Sequence, residues 1–167
     1  ERCLLSYTWA MNVQIVRPAT VCGFSPRMRL DVMVNSFVIQ ALTKGVITYN
    51  GGHQYRPNIH IDDMTDLYVW MLEHPNETGI FNAGFENLQI KEIARMVANI
   101  VGSRVVPMES NDPRSYRINS ERLLEAGFRP KKKVIDAIDE LVKKYREGLL
   151  KDKDECYNLR MMQKLAA

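Results

Sequence analysis

Two arginines and one tyrosine have types and spacing that are compatible with ligand binding. Arg56 follows a Gly51-Gly52 turn, and its guanidinium group can hold two oxygens of an anionic group at once. Arg114 and Tyr116 lie two residues apart in a proline-containing loop, so an extended loop presents both on one side. From residue types alone, a solvated surface charge is the better interpretation of Arg56. A surface loop with a buried tyrosine is the alternative for the other pair.

The motifs of several enzyme classes are absent from the 167 residues. They contain no Gly-x-Gly-x-x-Gly dinucleotide loop, no Gly-Lys-Ser/Thr phosphate loop and no Gly-x-Ser-x-Gly motif. His53, His60 and His74 do not have the spacing of metal ligands on a helix. A zinc site around His60 with Asp62 or Asp63 can be drawn, but a structural histidine is the better interpretation. The sequence therefore predicts no metal site.

Composition limits the class of protein further. With 46% hydrophobic residues, the chain can bury one good core, with or without a smaller satellite. Its 23 basic and 20 acidic residues create no field of one sign, so no nucleic-acid partner is predicted. No apolar run approaches the roughly 20 residues of a membrane-spanning helix.

Cys3, Cys22 and Cys156 fit neither a disulfide framework nor a zinc site, which predicts a cytoplasmic protein. Cys22 is interpreted as a small buried hydrophobe, with a catalytic thiol as the alternative.

Helical and extended patterns alternate along the chain, and they must position the candidate residues. We predict strands at 13–16, 46–49, 58–61, 80–83 and 104–107, and helices at 31–44, 64–74, 88–101, 119–126 and 134–150. Gly45 is predicted to end the first of these helices, and Asp62 with Asp63 to cap the second. This alternation predicts an α/β fold with parallel strands.

Four pieces of the sequence, in order, resemble one known family. They are residues 16–72, from VRPATVCGFSPRM to YNGGHQYRPNIHIDDMTDL, then GIFNAG at 79–84, DPRSYR at 112–117 and EAGFRP at 125–130. Together they resemble the second half of extended short-chain dehydrogenase/reductases, the NAD-dependent nucleotide-sugar epimerases and dehydratases. The likeness covers about residues 1–150.

The resemblance implies a particular architecture. It implies an α/β fold made of the last strands and helices of a Rossmann-like parallel sheet, plus a small α/β substrate-binding domain. Residues 1–23 and 57–75 are assigned to remnants of the NAD-binding domain, 24–56 and 76–150 to the substrate-binding domain, and 151–167 to a C-terminal tail. Residues 1–9 match the end of the helix that carries the family's Tyr-x-x-x-Lys pair, so we expect a fragment without that pair. The strands at 13–16 and 58–61 would then have unpaired edges, which predicts a homo-oligomer or pairing with a missing N-terminal half.

The resemblance also implies roles for individual residues. The predicted substrate-binding residues are Arg56, Arg114, Tyr116, Asn35, Thr20 and Tyr49, while Pro18 and Ala19 are predicted to face the nicotinamide. Asn35 has an alternative as an ordinary polar residue early in a helix, and Tyr49 as a packing residue. Thr20 stands where many members have an asparagine, which leaves the sugar contact open, and Cys22 replaces a frequent tyrosine.

These implications predict a C-terminal fragment of an NAD-dependent nucleotide-sugar epimerase or dehydratase. The fragment is expected to bind the nucleoside-diphosphate sugar but to be inactive alone. NAD or NADP would bind the intact parent, and the fragment itself is expected to bind it poorly. The alternatives are a non-catalytic sugar-nucleotide-binding or oligomerisation module, and a family reductase that acts on a non-sugar substrate.

Overall fold

Strands and helices alternate along the chain. The structure, a computed structural model, describes residues 1–166. The strands are Gln14–Pro18 (β1), Thr20–Cys22 (β2), Val46–Asn50 (β3), Tyr55–His60 (β4), Gly79–Ala83 (β5), Glu86–Gln89 (β6) and Arg104–Met108 (β7). The helices are Arg2–Leu5 (α1), Met33–Lys44 (α2), Ile61–Glu73 (α3), Ile90–Val101 (α4), Glu121–Glu125 (α5), Val134–Arg146 (α6) and Asn158–Ala166 (α7), with a turn of 3-10 helix at Asp154–Cys156.

The described strands form three small sheets. β1 pairs with β5 and β3 pairs with β7, both in parallel. β4 lies between β2, which is parallel to it, and β6, which is antiparallel. Parallel strands cannot be joined by a tight turn, and α2, α3 and α4 lie within the connections. The predicted α/β fold with parallel strands is confirmed.

Two strands, β2 and β6, were not predicted from the sequence. β2 has three residues, which is too short for a recognisable alternation. Leu88 in β6 fits the apolar spacing of the following helix, but in the structure it lies opposite Arg56 of β4. The helix begins only after Gln89, whose backbone N–H donates to the Glu92 carboxylate at 2.7 Å in a capping box. Local hydrogen bonds at this boundary therefore override the helical pattern.

The larger core lies between α2, α4, α6 and β3. The fully buried members of this core are Leu30, Val34, Val38, Ile47, Ile93, Ala94, Val97, Ala137, Ile138 and Leu141. Burying one leucine or isoleucine side chain contributes about 1.5–3 kcal/mol to the stability of the fold. Gly45 ends α2 with φ 64°, as predicted, because glycine adopts this left-handed conformation without a steric cost.

A smaller core joins α3, α5 and β5. Its buried members are Ala19, Ile59, Met64, Leu67, Met71, Phe81, Ala83, Leu123 and Phe128. β5 and α5 fall in the segment predicted for the substrate-binding domain, whereas α3 falls in a predicted Rossmann remnant. The boundary at residue 76 thus separates elements that share one core, and the partition into domains stays a prediction.

The start of α3 differs from the prediction. The helix begins earlier, and its N-cap is His60, whose Nδ1 accepts a hydrogen bond from the Asp62 backbone N–H at 3.1 Å. The prediction that Asp62 and Asp63 cap this helix is therefore wrong. Asp63 is 1% exposed, and its two carboxylate oxygens accept from the backbone N–H groups of Lys131 at 2.8 Å and Lys132 at 3.0 Å. Asp63 thereby ties α3 to the segment before α6.

The edges expected to be unpaired at 58–61 are paired in part. β4 pairs with β2 through Asn58, Ile59 and His60, which the expectation did not foresee because β2 was not predicted. On the other side β6 reaches only from Tyr55 to Asn58, so Ile59 and His60 pair with β2 alone among the strands of residues 1–166. β1 pairs with β5 alone among the strands of residues 1–166.

The C-terminal tail packs against the segment before α2. The Cys156 carbonyl accepts from the Leu30 N–H at 2.8 Å, and the Asn158 N–H donates to the Asp31 carboxylate at 3.2 Å. Tyr157 lies against the larger core. The tail therefore covers part of the core.

Replacing the buried Asp63 by alanine removes the acceptor of two partly buried backbone hydrogen bonds. We expect the free energy of unfolding to fall by about 3 kcal/mol, since a hydrogen bond to a charged group contributes about 1.5–3 kcal/mol. Asp62→Ala is the matched control, because Asp62 lies in the same turn with 57% of its side chain exposed, and we expect a loss below about 1 kcal/mol. Urea denaturation followed by circular dichroism measures both. Equal losses in the two variants would contradict this role of Asp63.

Candidate functional site

Four of the predicted substrate-binding residues line one cleft. The cleft has a volume of about 510 Å³ and lies between β2, α2, β3, β4 and the loop after β7. We call it the Arg56 cleft, and its wall includes Thr20, Phe37, Tyr49, Arg56, Asp112 and Tyr116. The structure therefore brings together residues that are distant in the sequence.

A second cavity adjoins the first. This Pro18 cavity has a volume of about 470 Å³, and its wall includes Pro18, Ala19, Thr20, Arg27, Arg29 and Asn35. Thr20 lines both cavities, so the two spaces share one wall. The residues predicted to face the nicotinamide are thus next to those predicted to bind the diphosphate.

Arg56 is a fixed cation in the cleft wall. Its Nη1 donates to the backbone carbonyl oxygens of Tyr55 at 3.0 Å and Arg114 at 2.5 Å. Its Nη2 lies 3.6 Å from Asp112 Oδ2, and its Cζ lies 5.7 Å from the centroid of the Tyr116 ring. Only 14% of the side chain is exposed. A solvated surface arginine, the alternative from the sequence, does not describe this environment.

Arg114 and Tyr116 differ in position although they are two residues apart. Tyr116 lines the Arg56 cleft and is half exposed. The Arg114 side chain is 79% exposed, lies outside the cleft wall and forms an ion pair with Asp112 at 2.7 Å. The structure thus brings Tyr116, but not the Arg114 guanidinium group, to the cleft. Substrate contacts by either residue stay predictions.

Asp112 is a residue of the site that the sequence analysis missed. Hydrogen bonds from the Arg114 side chain and backbone N–H, with the charges of Arg114 and Arg56, lower the pKa of Asp112 to about 2. Its Oδ1 accepts a hydrogen bond from the Arg114 N–H at 3.0 Å, and this bond from the aspartate side chain to the backbone two residues later forms an Asx turn. The Asp-Pro-Arg order was the available signal, because aspartate before proline commonly starts such a turn.

Thr20 and Tyr49 have partly structural roles. Thr20 lies in β2 opposite Asn58 of β4, and it is half-buried. The Tyr49 ring packs against Phe37 with a centroid separation of 6.3 Å. Tyr49 therefore both packs and lines the cleft, so the two interpretations from the sequence do not exclude each other.

Asn35 shapes the loop between β2 and α2. It is 3% exposed, and its Oδ1 accepts from the Gly23 N–H at 3.1 Å. Its Nδ2 donates to the carbonyl oxygens of Gly23 at 3.4 Å and Arg29 at 2.9 Å. The amide is thus engaged by the backbone beside the Pro18 cavity. A contact from Asn35 to a nucleotide stays a prediction.

A histidine and a glutamate hold the start of the same loop. His60 Nε2 lies 3.5 Å from Glu140 Oε2 of α6, and this oxygen also accepts from the Phe24 N–H at 3.1 Å. Gly23 has φ 110°, and a Cβ there would lie 2.9 Å from Ile61 and 3.2 Å from the His60 ring. Only glycine fits this close approach. The loop is therefore held at its start by Glu140 and at Gly23 and Arg29 by Asn35.

Metal-binding clusters and membrane-spanning helices are also absent from the described residues. Within residues 1–166, no three His, Cys, Asp or Glu side chains are grouped as a metal ion requires. The helices of that part of the chain include none that is long and apolar enough to cross a membrane.

Comparisons of the sequence identify related proteins. A sequence model described as the NAD dependent epimerase/dehydratase family matches residues 1–84. The probable GDP-L-fucose synthase 1 of Oryza sativa subsp. japonica is 26% identical over 113 residues. That alignment covers 65% of this chain and 34% of the rice protein. The chain thus matches about a third of the length of this relative.

Comparisons of the structure show the same fold in several solved proteins. RMD from Pseudomonas aeruginosa, complexed with NADPH, has a TM-score of 0.73 at 17% identity, covering 88% of this chain and 53% of that chain. UDP-glucose 4-epimerase from Thermus thermophilus, complexed with NAD, has a TM-score of 0.72 at 20% identity, covering 87% and 50%. UDP-N-acetylglucosamine 4-epimerase from Bacillus cereus has a TM-score of 0.74 at 20% identity, covering 90% and 51%. The chain spans about half the length of each.

The reactivity of Cys22 tests its interpretation as a buried hydrophobe. It is 1% exposed, and burial raises the pKa of its thiol to about 12. Because the thiolate is the nucleophile, we expect Cys22 at pH 8 to react with iodoacetamide about 1,000-fold more slowly than a thiol with an ordinary pKa of 9.0. Cys3 is exposed and serves as the control in the same chain. Peptide mass spectrometry over time measures both rates, and equal rates would favour the reactive-thiol alternative.

Proposed function

The chain belongs to the NAD-dependent epimerase/dehydratase family, and on that premise we propose that it binds a nucleoside-diphosphate sugar in the Arg56 cleft and the Pro18 cavity. It would be the substrate-binding part of an epimerase or dehydratase that uses NAD or NADP. The observation that carries the proposal is the convergence of Thr20, Tyr49, Arg56 and Tyr116 on one cleft.

The diphosphate is assigned to the cleft side of Arg56. A planar guanidinium group suits two oxygens of a phosphate, and charge-assisted hydrogen bonds of this kind are strong. Arg56 needs little rearrangement, because two backbone carbonyl groups already hold its Nη1. A preorganised cation loses less conformational entropy when the ligand binds. Arg114 could add a second charge from the loop after β7.

The flat base and the sugar are assigned to opposite ends of this space. Tyr49, Phe37 and Tyr116 supply an aromatic wall in the Arg56 cleft, which suits stacking with a base. Thr20, at the boundary with the Pro18 cavity, offers a hydroxyl group to the sugar. Volumes of about 510 and 470 Å³ are typical of small-molecule sites.

We propose that the residues of this chain supply only part of a dinucleotide site. Pro18 and Ala19 supply only a small wall of the Pro18 cavity, and the 167 residues contain no glycine-rich dinucleotide loop. Two solved proteins of the same fold are described as complexed with NADPH or NAD. We propose that the intact protein uses such a cofactor for hydride transfer, whereas the isolated chain binds it weakly and is inactive.

Binding without catalysis is the second candidate function. It is favoured by the combination of a formed cleft with the lack of a glycine-rich loop in these 167 residues. The coding sequence before Glu1 separates the two candidates, because an enzyme requires a glycine-rich loop and a Tyr-x-x-x-Lys pair there. A reductase acting on a non-sugar substrate would keep both motifs but would not bind nucleotide sugars.

Replacing Arg56 tests the diphosphate assignment. We expect Arg56→Ala to weaken binding of UDP-glucose, GDP-mannose or dTDP-glucose, whichever binds the chain, by about 10- to 100-fold, since hydrogen bonds to charged groups contribute about 1.5–3 kcal/mol. Arg56→Lys keeps the charge without the planar fork, so an intermediate loss is expected. Isothermal titration calorimetry measures the dissociation constants.

Arg95→Ala is the matched control, because Arg95 is an exposed arginine on the outer face of α4. Its replacement should leave the affinity unchanged. Thermal melting of each variant distinguishes a lost contact from a disturbed fold. An unchanged affinity in Arg56→Ala, or no binding of any nucleotide sugar to the wild-type chain, would contradict the proposal.

We also propose that the free edge of β1 recruits a further strand. Backbone groups of Gln14–Pro18 pair with β5 on one side alone within residues 1–166, and unpaired edges favour strand addition. The added strand comes from a second copy or from an N-terminal half of the intact protein. We expect the isolated chain to self-associate in sedimentation equilibrium, while a monomeric mass at high concentration would contradict this.

We propose the cytoplasm as the location of this protein. Its three cysteines are free thiols, which a reducing compartment preserves.

A further inference from the structure

We propose that Asp112 is an internal anion that occupies the place of a ligand phosphate beside Arg56 and leaves it when the ligand binds. The identity of the ligand as a diphosphate rests on the function proposed above. The role of Asp112 follows from the geometry of its own contacts and is tested separately below.

One oxygen of Asp112 contacts both arginines predicted to bind the substrate. Its Oδ2 lies 2.7 Å from Arg114 Nη2 and 3.6 Å from Arg56 Nη2. The carboxylate also lines the Arg56 cleft. Two guanidinium groups that converge on one anionic oxygen create the environment that a phosphate oxygen requires. Asp112 therefore satisfies, within the protein, the charge that a bound phosphate would satisfy.

The two contacts of Asp112 differ in strength. Arg114 makes three hydrogen bonds to the carboxylate, from its N–H at 3.0 Å, its Nε at 2.8 Å and its Nη2 at 2.7 Å. Arg56 makes one longer contact at 3.6 Å. Asp112 and Arg114 thus form a local unit on the loop, and the contact with Arg56 is the one that yields most easily. The ligand replaces Asp112 at Arg56 Nη2, while the Nη1 contacts of Arg56 to two carbonyl groups persist.

Protonation does not provide another route to release. The pKa of Asp112 is lowered to about 2, mainly by the hydrogen bonds from Arg114, so the carboxylate stays charged from mildly acidic to basic pH. An incoming anion must therefore compete with a full negative charge. A diphosphate carries more charge than the carboxylate and competes better than a single monoanion. Asp112 thus favours diphosphates over weaker anions.

Replacing Asp112 by asparagine tests this competition. The amide keeps the size and one acceptor of aspartate but loses the charge. We expect Asp112→Asn to bind inorganic pyrophosphate and UDP about three- to tenfold more tightly than the wild-type chain, because a partly exposed ion pair no longer has to be broken. Calorimetric titration of the whole chain at low salt measures both dissociation constants. Asp112→Ser is a second neutral variant with the same expected direction.

Glu109→Gln is the matched control. Glu109 is an exposed acid on the same loop and forms no ion pair within the part of the chain that the structure describes. The Glu109→Gln substitution removes the same charge without releasing Arg56, so we expect the dissociation constant of pyrophosphate to change less than twofold. A gain in Glu109→Gln equal to that in Asp112→Asn would overturn the inference, since general electrostatics would explain both.

Other outcomes are equally decisive. Unchanged or weaker pyrophosphate binding in both folded Asp112 variants would overturn the inference and indicate that Asp112 positions the arginines instead. An absence of pyrophosphate binding to the wild-type chain and to both variants would also overturn it. Failure of the proposed function has a different signature. In that case pyrophosphate binds Asp112→Asn more tightly than the wild-type chain, but no nucleoside-diphosphate sugar binds either protein.

Discussion

The position of β4 between β2 and β6 is the constraint on which the site depends. Alternate side chains of a strand face the same side, so Arg56 and His60 point in one direction from β4. Arg56 enters the cleft beside α2, while His60 meets Glu140 of α6 and fixes the loop that begins at Gly23. Shifting β4 by one residue would send both side chains to the opposite face. One strand register therefore sets both the cation of the cleft and the loop beside it.

The Pro18 cavity lies where the two hydrophobic cores meet, and the Arg56 cleft lies against the larger core. Ala19 of the smaller core and Cys22 of the larger core line the Pro18 cavity, whereas Phe37 of the larger core lines the Arg56 cleft. Ligand sites commonly form between packed units, because polar groups can converge there without being buried inside either core. Thr20 lies at the boundary between the cavities. The site thus combines the packed cores with the long loop at residues 109–120, which supplies Asp112 and Tyr116.

The charge of Arg56 is stabilised by its neighbours before any ligand is present. Arg56 is a largely buried cation, and an unpaired buried charge is costly. Two backbone carbonyl groups and the Asp112 carboxylate offset that cost, and the Tyr116 ring lies over the guanidinium group. The same contacts hold the loop after β7 against β4. Arg56 therefore has a structural role in closing the cleft as well as a proposed role in binding.

The sequence alone determined the family, the alternation of helices and strands, and the helix end at Gly45, because apolar periodicity and glycine conformation are local properties. The strands β2 and β6 were not predicted from the sequence, since their pairing depends on distant partners and β6 has a helix-like pattern. The hydrogen bonds from the Lys131 and Lys132 backbone to the buried Asp63 carboxylate, and those of Asn35 to the loop at Gly23, are also visible only in the tertiary structure. The types of Arg56, Arg114 and Asp112 were visible in the sequence. Only the folded chain decided that Arg56 enters the cleft, that Arg114 stays outside it and that Asp112 lies between them, because long-range packing sets those distances.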